Sequence, residues 1–335
     1  MSLHEAIVVK IPKIQPHPDP ETTRLGIVMI DDYQVVVAKD QWKEGDLACY
    51  IEPDTMVPIN REEFAFLKKN EDQTHHRVRV IRLRGQYSQG LLVPAPGHKV
   101  GDDLWKKLEL ERYEPKVHSG VKFSADTAGA PFGIIAPKYD LENWRKFGKV
   151  FEDGEEVYMT EKIHGTNSRF VFDGNKMHCG SRTRWVRDGD NPWWKCFHNN
   201  PEIEEVCRKN PGFVFYGEIY GYIQFLRYGH EPGTSSFALF DVLDGKTGDY
   251  LDGSEVFSGR FSPMKTVPVL YCGPYSRDKV LEHTDGKTKL MKKNAHIREG
   301  CVVKPTQETI VRIKGILKRK VLKSVSDKYL IKGDK

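Results

Sequence analysis

The segment TEKIHGTNSRF, residues 160–170, sets Lys162 three residues ahead of Gly165, with an apolar run on either side (Val157-Tyr158-Met159 and Phe170-Val171-Phe172). A solvated surface lysine needs no such setting, but a nucleophile does. A free lysine titrates near ~10.4 and is mostly protonated at neutral pH. An attacking amine therefore has to be held in place, and its pKa has to be lowered by neighbouring cations or a metal. A tight bend between two strand-like runs would hold it, and Gly165 permits a close approach of backbone there.

Other polar residues stand at the ends of apolar runs, where a cleft would lie. FVFYGEIYG carries Glu218, SSFALFDVL carries Phe240 and Asp241, REGCVVKP carries Glu299 and Lys304, RKVLKSVSDKYL carries Lys323, and CGSRTRW carries Arg182. Taken singly, Glu218 and Glu299 read equally well as strand-end charges. Phe240 could be a core aromatic, and Lys323 a charge guarding an edge strand. Together they supply a nucleophilic amine, carboxylates for a metal and a ribose, an aromatic plate and phosphate-binding cations. That set suits attack on a nucleotide.

Taken in order, these segments resemble the covalent nucleotidyltransferases, the superfamily of ATP-dependent ligases and capping enzymes. Within it the resemblance is to phage-type RNA ligase 2, the nick-sealing class, and it spans roughly residues 155 to 330. The stretches HPDPETTRLGIVMIDDYQVVVAKDQWKEGDLACYIEPDTMVP and RVIRLRGQYSQGLLVP are similar to the OB module that one RNA ligase branch carries in front. The resemblance implies ATP and Mg²⁺ (or Mn²⁺) as cofactors, and RNA ends or a nicked duplex as partner. It implies Lys162 as the nucleophile that forms lysyl-AMP, Phe240 stacked on adenine, Glu218 on the ribose and Glu299 holding a hydrated metal. Lys323 would contact the α-phosphate, and Arg182 and Asn167 the AMP phosphate and RNA ends. Glu161, Gly165 and Lys320 complete the implied nucleotide-binding set, and Lys304 is a further phosphate candidate.

Two departures stand out. His164 occupies a place where DNA ligases and capping enzymes often carry Asp, which favours the RNA branch. The last family motif usually reads K-x-K, whereas Lys323 is followed two residues later by Val325. Lys320 or Lys318 would have to supply the second cation, although strand alternation from Lys323 does not favour Lys320 without a bulge. A GTP-using capping enzyme is the alternative within enzymes, but its OB module usually follows the catalytic domain. A non-catalytic nucleic-acid-binding protein is the other alternative, and intact Lys162, Glu218 and Glu299 argue against it.

The elements that must position these residues are predicted as follows. A chain of 335 residues accommodates about two domains. Residues 1–105 read as short strands (Ala6–Ile11, Leu25–Ile30, Tyr33–Ala38, Leu47–Ile51, Arg77–Leu83, Gly90–Val93) with a helix at Arg61–Lys69 capped by Asn60 and Glu63. This suggests an OB-like barrel, with an SH3-like barrel as rival. Residues 106–150 read as a connector, or an ordered loop laid over a surface. Residues 151–335 read as a mainly antiparallel nucleotidyltransferase domain, with a helix at Pro201–Arg208, so the fold class is α+β. No apolar run approaches the ~20 residues of a membrane span, and no secretory signal is evident. Six scattered cysteines without a C-x-x-C pair point to the cytoplasm or another reducing intracellular compartment. A monomer is expected. The formal charge is only +5, but from Arg312 to Lys335 there are nine Lys or Arg against two Asp, a balance that a phosphate-binding surface would need.

Overall fold

The computed structural model describes residues 4–113 and 127–332. The chain divides into two compact units, Met1–Lys116 with Leu330–Lys335, and Val117–Tyr329. Among the described residues no helix is long and apolar enough to cross a membrane.

The first unit is built from short antiparallel strands. Leu47–Ile51 lies between Ile7–Lys10 and Leu91–Pro94. Its side chains alternate between two cores: Cys49 and Ile51 pack with Val8, Val57 and Phe64, while Ala48 and Tyr50 pack with Val28, Val35 and Trp42. A strand apolar on both faces is what a small closed or nearly closed sheet requires. Leu25–Ile30 and Tyr33–Ala38 form the expected hairpin around Asp31-Asp32, with Ile30 opposite Tyr33. Two expectations are corrected. The predicted helix over 61–69 is a short 3₁₀ helix, Glu62–Leu67, without a side-chain cap. Its capping box fails because the Glu63 carboxylate is taken by the Arg61 guanidinium at 3.1 Å. The predicted strand Arg77–Leu83 is two strands, His75–Arg77 and Val80–Leu83, in different sheets.

The second unit contains two five-stranded sheets. One runs in the order Glu142–Asn143, Leu322–Val325, Gly300–Pro305, Glu156–Lys162, Val269–Pro274; the other runs Trp185–Val186, Met177–Ser181, Thr166–Phe172, Phe213–Gly221, Ser235–Asp244. Among the strands of the described residues, only the Glu142–Asn143 pairing is parallel. Helices Pro192–Asn199 and Pro201–Lys209 cover the second sheet, burying Trp193, Phe197, Ile203 and Val206 against Phe170, Phe215, Ile219 and Leu239. Asn200 precedes the second helix as expected, but its side chain donates to the Cys196 carbonyl at 2.6 Å and so closes the helix before it. The expected connector lies in part (114–126) outside the described residues. Within 127–150, Tyr139 packs on Tyr216 and Phe240, and Trp144 is buried, so this stretch is laid over the second unit.

Candidate active site

Lys162 ends a strand of one sheet and Thr166 begins a strand of the other, so residues 163–165 are the crossing between sheets. Glycine is required at this crossing. A Cβ on Gly165 would lie 2.1 Å from the Ile219 carbonyl oxygen. Lys162 faces Gly300 across the adjoining strand, and a Cβ on Gly300 would lie 2.0 Å from the Ser324 carbonyl oxygen. That close backbone approach delivers Glu299 to the lysine, and the two side chains form an ion pair. From the second sheet, Asn167 stands opposite Glu218, and the Gly165 N–H donates to the Glu218 carboxylate.

The electrostatics of the cluster are unbalanced. Burial works to lower the Lys162 pKa, but Glu299 and then Glu218 outweigh it and hold the amine above its ordinary value. The expected depression is therefore absent here, because two carboxylates face one cation. Burial pushes Glu218 up to about 8, with Lys162 opposing and Glu299 reinforcing the shift. His164 is held down to about 4 by burial. Its ring Nδ1 lies 2.8 Å from the Tyr329 hydroxyl, its backbone N–H donates to Tyr228 Oη at 2.8 Å, and Phe225 packs on its ring. Among the described residues, His164 Nε2 and Asn167 Oδ1 are buried without a hydrogen-bond partner.

Phe240 reaches this face through a bulge. Tyr216 pairs with Asp241 and Gly217 with Leu239, leaving Phe240 as the extra residue. A bulge re-aims a side chain in this way, and Phe240 packs toward Ile163, Ala238 and Val267 and on the Tyr139 ring at 4.7 Å. Lys323 aligns with Val302 and Thr160 across three strands, on the same sheet face as Lys162. Arg182 is partly exposed and bonds Asp140 at 3.3 Å.

Four expected residues are placed otherwise. Glu161 is next to Lys162 in its strand and so points to the other face, where its carboxylate accepts from the Lys289 N–H at 2.7 Å. Lys320 is held by Glu155 at 2.6 Å, and Lys318 is paired with Glu142. Lys304 is buried on Asp241 at 2.9 Å. Asp241 is also bonded by Tyr139 Oη at 2.8 Å and Arg319 Nη2 at 2.7 Å. Tyr139, Tyr228, Tyr329 and Arg319 went unnoticed in the sequence. Their bonds to His164 and Asp241 span 64 or more residues of chain, and no local pattern announces that.

Two carboxylates beside the lysine fit a hydrated divalent cation, which binds through few carboxylates plus phosphate and water. Among the described residues no group of three or more His, Cys, Asp or Glu is arranged to hold a metal by itself.

An OB-fold domain model matches residues 6–95. The fold is similar to that of Naegleria gruberi RNA ligase in several solved states. A variant solved with ATP and Mn is 24% identical, with a TM-score of 0.79 over 99% of this chain and 100% of that chain. A variant with AMP and Mn is 25% identical, with a TM-score of 0.79 over 98% and 99%. The protein with PPi is 25% identical, with a TM-score of 0.77 over 98% of each chain. Among curated proteins no match is found. The RNA ligase family model matches residues 155–325, half of the chain and every site residue named above from Lys162 to Lys323, and the protein belongs to the RNA ligase family.

Proposed function

We propose that this RNA ligase uses ATP to join a 3′-hydroxyl to a 5′-phosphate at RNA ends or nicks, through a lysyl-AMP intermediate. We place it in the RNA ligase 2-like branch that carries an OB module in front. The observation that carries the reading is Lys162 at the crossing of two sheets, ion-paired with Glu299 and facing Glu218.

The Lys162 amine attacks the α-phosphate of ATP; an N–P bond forms and the bond to pyrophosphate breaks. The 5′-phosphate of the RNA then takes AMP from the lysine. Attack by the 3′-hydroxyl releases AMP and closes the phosphodiester. Lys162 is held as an ammonium by Glu299, so it must first lose a proton. Neutralising the Glu299 charge lowers its pKa, which ties activation of the nucleophile to loading of the site. Glu299 would hold a Mg²⁺ or Mn²⁺ ion, whose charge would also polarise the phosphate. Phe240 stacks on the base and Glu218 binds the ribose. Lys323 contacts the α-phosphate and stabilises charge in the in-line transition state. Asn167, opposite Glu218, and Arg182, whose charge acts on Glu218, serve the phosphate and RNA ends. All of these residues come from one unit, and the monomer is the state we infer for the enzyme.

The test is incubation with α-labelled ATP or GTP and Mg²⁺, followed by a denaturing gel and a nicked-RNA joining assay. Label from ATP and joined RNA are expected. Label from GTP alone would indicate a capping-type enzyme, and no label from either a binding protein.

A further inference from the structure

Between the strands that carry Lys304 and Lys323, the chain makes an excursion that the proposed chemistry does not use. Among the described residues, Ile310–Ile313 and Ile316–Arg319 pair only with each other. They turn at Lys314 and Gly315, both at positive φ (47° and 81°), as a tight two-residue hairpin requires. An isolated hairpin is marginal in water, and this one is anchored at its root. Arg319 bonds Asp241 at 2.7 Å, next to Phe240, and also Glu308, while Lys318 pairs with Glu142.

The two faces of the hairpin differ. On one face Val311, Ile313 and Lys318 are covered or partly covered, and Ile316 beside the turn is 49% exposed. Ile310 and Leu317 are 56% and 63% exposed, with Arg312 exposed between them. Among the described residues Arg312 makes no ion pair; its guanidinium donates to the Gly315 carbonyl at 2.7 Å. From Thr309 to Val325 the sequence holds six Lys or Arg and no Asp or Glu. A solvent-facing hairpin face that alternates aliphatic, cation and aliphatic suits a polyanion with an apolar edge, such as phosphates flanking ribose.

We propose that the Ile310–Arg319 hairpin is a docking surface for the RNA substrate, with Arg312 on a backbone phosphate and Leu317 and Ile310 against the adjoining sugars. The inference rests on the RNA-ligase reading and adds to it a surface for the duplex beside the nucleotide site. Rooting through Asp241 ties the position of the docked strand to the strand that bears Phe240.

The test uses the full chain and a nicked RNA duplex. Binding is measured across a salt series, and lysyl-AMP formation and joining are measured separately. Arg312→Ala is expected to weaken duplex binding several-fold and to reduce the slope of log affinity against log salt by about 1, the loss of one phosphate contact. Leu317→Ser is expected to weaken binding without changing that slope. Lysyl-AMP yield should match wild type in both, which also shows the variants to be folded. Unchanged affinity and slope in Arg312→Ala and Arg312→Glu would overturn the proposal. A change in self-association in place of RNA affinity, read by sedimentation, would assign the face to protein contact and overturn it too. Absence of lysyl-AMP and joining in the wild-type chain would be a failure of the ligase reading, and is seen before any variant is made.

Discussion

Glu218 and Asp241 are carboxylates on adjacent strands of one sheet, with Asp241 opposite Tyr216 and Glu218 two residues farther along. They titrate in opposite directions. Burial would raise Asp241, but Arg319 and Lys304 outweigh it and hold the carboxyl below its usual range. Burial pushes Glu218 up to about 8, because the cation that faces it is already paired with Glu299. Asp241 accepts from a tyrosine, a lysine and an arginine, and its network is closed by Glu308. The cluster around Lys162 has more carboxylate than cation, and it leaves His164 Nε2 and Asn167 Oδ1 without partners. The closed network holds strands together. The open cluster has charge left for a divalent cation and hydrogen-bonding capacity left for a ligand.

The comparison can be broken most sharply at its two centres. Lys162→Ala is expected to abolish the covalent AMP adduct completely in a protein that stays folded, scored on a denaturing gel with labelled ATP. A persisting adduct would move the nucleophile elsewhere. Asp241→Asn is expected to act on stability instead. It leaves Lys304 and Arg319 buried against a neutral amide, and breaking such a pair costs about 3–5 kcal/mol, measured by urea unfolding. Full stability with lost adduct would transfer Asp241 to the open cluster.

Phe240 joins the two regions, since it is the bulged residue beside Asp241 and packs toward the lysine bend. Phe240→Ala is expected to weaken ATP use by on the order of 1–3 kcal/mol, the scale of a lost aromatic–base stack, and Phe240→Leu by less. Equal losses in two folded variants would show that stacking is not its contribution.

A further expected effect is the pH dependence of stability due to Glu218. Its folded pKa, about 8, lies above the ordinary 4.5. Below 4.5 both folded and unfolded chains carry the proton. As pH rises toward 8 the unfolded chain releases it while the folded chain retains it, so stability falls across that window. Glu218→Gln should therefore melt close to wild type at pH 5 and higher at pH 8.5. A rise of ~2–4 °C corresponds to about 1 kcal/mol in a domain of this size. A difference that shrinks with rising pH would mean that Glu218 is compensated in the free protein.

Legibility in the sequence followed the range of the forces involved. Leu25–Ile30, Tyr33–Ala38 and Leu47–Ile51 were readable to the residue because each is an apolar run bounded by turn residues. Val269–Pro274 was not, since its short apolar run Val269–Cys272 is hemmed in by Pro268 and Gly273-Pro274 and, on an edge strand largely in solvent, lacks the alternation that marks a half-buried strand. The helix Pro192–Asn199, capped by Asn191 accepting from the Trp194 N–H, was also missed. Its cap and Pro192 are local signals that could have found it.

By itself the sequence determined the α+β class, the two short-strand regions, the lysine bend and the residue types gathered around it. Period-2 patterning, turn chemistry and a seven-residue motif are all properties of neighbours in the chain. The tertiary structure decided which of those residues meet. It turned Glu161 to the far face of the sheet, tied Lys320 to Glu155 and Lys304 to Asp241, and left Lys162 between Glu299 and Glu218. Pairing among charges depends on distance and burial after folding. A list of lysines and carboxylates in chain order does not contain either.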